Sequence, residues 1–127
     1  MSIRVLICDD AAFMRAAIGA ALVAAGHEVV GEAATGEQAV ELFRARRPDL
    51  VTMDIVMPGG SGVDAVRRIR EIEPGARIVM VTAMGQEALI TQAREAGASA
   101  FLVKPFTPPT LIAQLERALE APVAPGA

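Results

Sequence analysis

Five times along the chain, a short and largely apolar run gives way to a stretch whose apolar residues recur every three or four positions. That rhythm is the mark of βα units, in which parallel strands are joined by helices lying on the faces of one sheet. Strands covered on both faces read as continuous hydrophobic runs, as residues 3–8, 50–53, 77–81 and 100–103 do. The second run, residues 28–32, carries glutamate at both ends and suits a sheet edge. The predicted fold is α/β, a (βα)5 three-layer sandwich about a parallel five-stranded sheet.

The intervening helices carry their own start and stop signals. Helix one is expected over residues 12–25, with Met14, Ile18, Leu22 and Ala25 at helical spacing and Gly26 in the stop position. Thr35-Gly36-Glu37-Gln38 matches a capping box, and helix two follows to about residue 46, burying Val40 and Phe43. Helix three, residues 62–73, has Ser61 as its cap, turns Val63, Val66 and Ile69 inward and ends at Pro74-Gly75. Helix four spans residues 86–96 and stops at Gly97. Thr107 caps helix five, whose first turn takes Pro108 and Pro109 where no backbone donor is needed, and whose buried face is Leu111, Leu115 and Leu119. Residues 1–120 form the expected domain, and 121–127 (APVAPGA) a linker-like tail.

Composition removes several functions. With 127 residues the chain fits one domain, and 53% apolar against 21% charged residues supports an ordinary core. A net charge of -3 supplies no basic field for nucleic acid, so no direct nucleic-acid partner is expected. No apolar stretch approaches the ~20 residues that span a bilayer, and Arg4 interrupts the early apolar run, so neither membrane segment nor signal peptide is expected and the predicted address is cytoplasmic. Cys8, the single cysteine, sits inside a strand as a small buried hydrophobe. His27 is expected to be a surface turn residue without a partner for metal or nucleophilic chemistry. Arg44, Arg46 and Arg47 are expected to form a solvated face at the end of helix two.

What remains is a set of polar residues at strand ends. Asp9-Asp10 follow the first strand, Asp54 ends the third, Thr82 the fourth and Lys104 the fifth. Ligands of open parallel sheets bind beyond the carboxyl ends of strands, beside the point where strand order reverses. Three carboxylates gathered there would repel one another and raise their pKa values, and a hard divalent cation with oxygen ligands relieves this. Lys104 is the only lysine in the chain. A compact ammonium is not interchangeable with a guanidinium fork, so its place points to a single-point contact. Thr82 alone says little, since threonine is common in strands.

Taken together, Asp9-Asp10, Asp54 within MDIVMP, Thr82-Ala83 and Lys104-Pro105-Phe106, in that order over residues 3–120, resemble a response-regulator receiver domain. Within that family DDAAFMR, VTMDIVMP, AMGQ and FLVKPF are similar to single-domain chemotaxis regulators of CheY type. The resemblance implies a flavodoxin-like sheet of order 2-1-3-4-5. It implies Asp54 as phosphoryl acceptor from a histidine kinase, with Mg²⁺ on Asp10, Asp54 and the Val56 backbone carbonyl and Asp9 acting through water. Lys104, the Thr82 hydroxyl and the backbone N–H of Ile55 or Ala83 would contact the phosphoryl oxygens, and the Lys104-Pro105 bond would be cis. Thr82 and Phe101 would form the switch, remodelling the face of helix four, strand five and helix five toward a flagellar switch protein or another effector, as a monomer or a phosphorylation-dependent dimer.

Two departures carry consequences. Phe101 stands where the chemotaxis relatives usually have tyrosine, so any switch here works through ring burial rather than a phenolic hydroxyl. Val56 and Met84 are apolar where fast-hydrolysing relatives carry acids or amides, which implies slow self-dephosphorylation. Other readings use the same residues. One is a stand-alone receiver in a non-chemotaxis phosphorelay, or the receiver part of a longer regulator. A Mg²⁺-dependent aspartyl phosphohydrolase shares the carboxylates, but its Asp-x-Asp arrangement and capping insertion are missing. A flavodoxin-type binding module would need donors where the loop after strand one is acidic.

Overall fold

The structure, a computed structural model, describes residues 2–58, 60–83 and 85–120. The expectations for Met84 and for the tail at 121–127 lie outside these described residues. In chain order the elements are β1 (Arg4–Cys8), α1 (Ala12–Ala24), β2 (Glu28–Ala33), α2 (Gly36–Arg46), β3 (Leu50–Asp54), β4 (Val56–Met57), β5 (Gly60–Ser61), α3 (Gly62–Ile72), β6 (Ile78–Ala83), α4 (Glu87–Glu95), β7 (Ala100–Lys104) and α5 (Pro108–Glu120).

The long strands form one parallel sheet of order β2-β1-β3-β6-β7. Setting aside the β4–β5 pair, this is the order 2-1-3-4-5 expected from the resemblance. The chain steps outward from β1 to β2 and then returns to β3 on the other side of β1, so the order reverses between β1 and β3. Asp9-Asp10 leave one of these strands and Asp54 ends the other. The short antiparallel pairing of Val56 with Ser61 and Met57 with Gly60 was not foreseen from sequence.

Side chains alternate across the sheet and build two apolar layers. On one face Leu6, Val51, Met53, Ile78 and Met80 pack with Val40 and Phe43 of α2, Val63, Val66 and Ile69 of α3, and Ala93 of α4. On the other, Val5, Ile7, Leu50, Val79 and Leu102 pack with Ile18 and Leu22 of α1 and Leu111, Leu115 and Ala118 of α5. Phe43 is the largest fully enclosed side chain, and its truncation to alanine would cost about 3–5 kcal/mol.

Most end signals act as expected, with local differences. Thr35 Oγ1 accepts from the Gln38 N–H at 3.1 Å, and Gln38 Oε1 accepts from the Ala34 N–H at 2.9 Å, one residue earlier than a standard capping box. Thr107 Oγ1 accepts from the Thr110 N–H at 3.4 Å. Ser61 occupies the N-cap position of α3 but makes no side-chain capping bond, while its backbone joins the β4–β5 pair. Ala25 lies past the last turn of α1 and is exposed, and Leu119 is half-buried beside Ala118. His27 is half-buried too, since its Nδ1 accepts the Ile3 N–H at 3.2 Å and ties the turn after α1 to the start of β1. Arg44, Arg46 and Arg47 are exposed, as expected.

Candidate functional site

Strand register delivers the polar residues to one place. Cys8 pairs with Met53, Asp54 with Val81, Thr82 with Val103 and Ala83 with Lys104, so β1, β3, β6 and β7 end side by side. The carboxylate groups of Asp9, Asp10 and Asp54 meet there, with one oxygen of each within 4.8 Å of the others. Lys104 Nζ donates to Asp9 Oδ2 at 3.0 Å and to Asp54 Oδ2 at 3.4 Å. A cleft of about 210 Å³ opens over Asp54, lined by Val56, Thr82, Ala83 and Lys104.

The three acids differ in how firmly they are held. Asp9 is buried and engaged at four atoms. Its N–H donates to Ala33 O at 2.9 Å, its carbonyl accepts from Arg15 Nη1 at 2.8 Å, Oδ1 accepts from the Ala11 N–H at 2.9 Å, and Oδ2 takes Lys104. Asp10 is exposed and has no hydrogen-bond or ion-pair partner among the described residues. Asp54 is 7% exposed, with its oxygens turned into the cleft. The cluster offers oxygen donors only, one of them unengaged. That donor set fits a hard divalent cation such as Mg²⁺ and does not suit a soft metal.

Burial, followed by the charge of Asp9, pushes the Asp54 carboxyl above the usual carboxylate range; the Lys104 ammonium and a backbone hydrogen bond from Val56 draw it partly back. For Lys104, burial pulls the other way, but the hydrogen bond to Asp9 and the charges of Asp54 and Asp9 outweigh it and hold the ammonium above its ordinary value. Burial, with Asp9 adding to it, also drives the Cys8 thiol up, which leaves it inert beside the site.

Thr82 is buried, and its hydroxyl donates to Ala83 O at 3.1 Å. Phe101 is half-buried against the α2–α4 layer, with the Arg94 guanidinium 5.2 Å from the ring centroid on its outer side. The Lys104–Pro105 peptide is cis. The Val56 side chain is 55% exposed at the cleft. Of the two backbone donors expected there, the Ile55 N–H donates to Val81 O at 3.0 Å, continuing the β3–β6 ladder, so it is not available to a ligand. Ala83 is left as the backbone donor of the pair considered from sequence.

Two residues escaped the sequence reading. Gly62 opens α3 directly against the backbone of Asp54: its N–H donates to Ile55 O at 2.6 Å, and a Cβ there would fall on the Asp54 carbonyl oxygen. Only the Gly-Ser-Gly run hints at this. Arg15, one turn into α1, holds the Asp9 carbonyl while its Nε donates to Glu32 Oε1 at 3.2 Å. An arginine so soon after an acid pair is a faint signal that would not distinguish this contact from a solvated side chain.

Residues 5–116 match the response regulator receiver domain family. The chain is 48% identical over 117 residues to the chemotaxis protein CheY of Thermotoga maritima, covering 92% of this chain and 98% of that protein. It is 50% identical over 121 residues to the chemotaxis protein CheY of Bacillus subtilis, covering 95% of each. Among solved structures it is similar to the signal receiver domain of the putative response regulator NarL from Mycobacterium tuberculosis, with a TM-score of 0.85, 34% identity, and coverage of 94% of this chain and 98% of that one.

Proposed function

The chain belongs to the response regulator receiver domain family and is CheY-like, and from that premise we propose that Asp54 accepts a phosphoryl group from the phosphohistidine of a partner histidine kinase. An Asp54 carboxylate oxygen attacks phosphorus, the P–N bond breaks with its electron pair returning to the imidazole, and the product is an acyl phosphate. The observation that carries this reading is the placement of the chain's only lysine 3.4 Å from Asp54 Oδ2, beside two further carboxylates.

The residues divide the work. Lys104 lowers the cost of ionising a carboxyl that burial holds above its usual range, and it faces the incoming phosphoryl oxygens with a point charge. The Thr82 hydroxyl, now on Ala83 O, and the Ala83 N–H supply neutral donors at the rim. Asp10, Asp54 and the Val56 carbonyl would hold Mg²⁺ directly, with Asp9 acting through water because both of its oxygens are already engaged. When bound, Mg²⁺ offsets the charge of the acids and of the phosphoryl group.

Phosphorylation adds about -1.5 to -2 charge at neutral pH, enough to draw the Thr82 hydroxyl inward and vacate space that the Phe101 ring can enter. The face of α4, β7 and α5 would then present a different surface to its target. CheY-type chemotaxis signalling through a flagellar switch protein is the assignment favoured by the relatives' names, with another effector or a non-chemotaxis phosphorelay as the alternative. On this reading the domain is a cytoplasmic signalling module with slow self-dephosphorylation rather than a turnover enzyme. No helix among the described residues is long and apolar enough to cross a membrane.

The test is direct: acetyl phosphate with Mg²⁺ should add the mass of one phosphoryl group to the wild-type chain and none to Asp54→Ala. Equal labelling of both, or of neither, removes the proposal. Multiple turnovers on small phosphomonoesters would favour a phosphohydrolase instead.

A further inference from the structure

Asp10 is the one member of the acid cluster that no side chain or backbone donor holds among the described residues, so only the backbone that carries it limits where its carboxylate can reach. The peptide plane preceding it contains the Asp9 carbonyl, and a planar peptide bond makes the direction of that carbonyl and the position of the Asp10 Cα a single variable. Arg15 Nη1 donates to that carbonyl at 2.8 Å. The guanidinium is itself aimed: its Nε donates to Glu32 Oε1 at 3.2 Å, and the Arg15 N–H donates to Ala11 O at 3.0 Å as α1 begins. With its side chain 20% exposed, Arg15 is packed as a brace between the ends of β1 and β2.

We propose that Arg15 is a positioning residue of the divalent-cation site, acting through the Asp9 carbonyl to set where the Asp10 Cα–Cβ bond points and so where its carboxylate can reach. The inference rests on the reading of Asp10 as a direct Mg²⁺ ligand. It makes an unusual claim about sign. As a cation beside three carboxylates, Arg15 disfavours a second cation, so its removal should tighten Mg²⁺ binding if charge were its only contribution. As a brace it favours the ion, and its loss should weaken binding. Outer partners of metal ligands typically change affinity 10–100-fold, which exceeds the effect of one charge already paired with Glu32.

Calorimetric titration of the full chain with Mg²⁺ alone, in parallel with metal-free thermal melts, decides between the two. Arg15→Met is expected to weaken Mg²⁺ binding about tenfold or more. Arg15→Lys keeps the charge, loses the two-point grip, and is expected to weaken binding several-fold while folding as the wild type does. Unchanged or tighter binding in either variant, with the melt retained, overturns the proposal. Should Arg15→Met fail to fold, Arg15→Lys decides alone. A wild-type chain that binds no Mg²⁺ defeats the phosphoacceptor reading and this inference together, whereas wild-type binding matched by both variants defeats this inference only.

Discussion

Lys104 Nζ lies 3.0 Å from Asp9 Oδ2, closer than to the proposed acceptor Asp54. The lysine thus has a structural partner and a functional one, and the buried partner holds it more tightly. Removing the ammonium leaves a fully buried carboxylate without its counter-charge. Lys104→Met is expected to lose acetyl-phosphate labelling and to lower metal-free stability by about 2 kcal/mol, below the full cost of a broken buried pair because Lys104 is 23% exposed. Urea unfolding in EDTA checks the second part; unchanged stability would mean that Asp9 finds another partner.

The folded-state pKa of Asp54 stands above its ordinary 3.8, with burial as the first cause and Asp9 as the second. A carboxyl of this kind favours the folded state below its ordinary value, and that contribution is lost as pH rises through the elevated folded value. Metal-free Asp54→Asn should therefore gain on the wild type across this window and remain more stable at neutral pH. Thermal melts from pH 3 to 7 would give the difference, which added Mg²⁺ should shrink by stabilising the wild type selectively. A difference independent of pH would remove burial of charge as the cause.

Gly62 allows α3 to begin on the backbone of Asp54, and any side chain there must displace one or the other. Gly62→Ala is expected to cost about 1–3 kcal/mol by overpacking. Because the displaced atoms belong to the acceptor residue, labelling should fall further than stability does. The two are compared by mass spectrometry under conditions where the variant remains folded, and full labelling would show that the helix yields instead.

Thr52 lies two residues before Asp54 on β3, and its hydroxyl is buried without a hydrogen-bond partner among the described residues. Replacing such a group by an apolar one of the same shape removes a desolvation penalty. Thr52→Val should stabilise the protein by about 1 kcal/mol, read as a higher urea midpoint at constant slope. A loss of similar size would mean that the hydroxyl is hydrogen-bonded in solution.

Val56 presents an apolar side chain, 55% exposed, at the edge of the cleft where a water attacking the acyl phosphate would need orienting. Slow hydrolysis is expected in the wild type, and Val56→Asn should shorten the acyl-phosphate lifetime several-fold at fixed Mg²⁺. An unchanged or longer lifetime, including in combination with Met84→Glu, would place the control of hydrolysis elsewhere.

The strands and the acid site were legible because they depend on local pattern. Continuous apolar runs identify covered strands, and Asp9-Asp10, Asp54, Thr82 and Lys104 each sit at the end of one. Contacts set by tertiary placement were not legible. The Gly62 approach depends on where α3 meets β3, the grip of Arg15 depends on the carbonyl direction at Asp9, and the bond between His27 and Ile3 joins residues 24 apart in sequence. The choice between the Ile55 and Ala83 N–H groups stayed open for the same reason: whether the β3–β6 ladder runs one residue past the strand cannot be read from VTMDI alone.

β7 carries both Phe101 and Lys104, three positions apart, and it forms the outer margin of the sheet with β6 as its sole neighbour. The ammonium in the pocket and the ring near the surface thus share one backbone, hinged along a single row of hydrogen bonds. An interior strand would have to slide against two such rows at once. Occupancy of the pocket could thus reach the outside of the molecule through a margin of the sheet that only one neighbouring strand restrains.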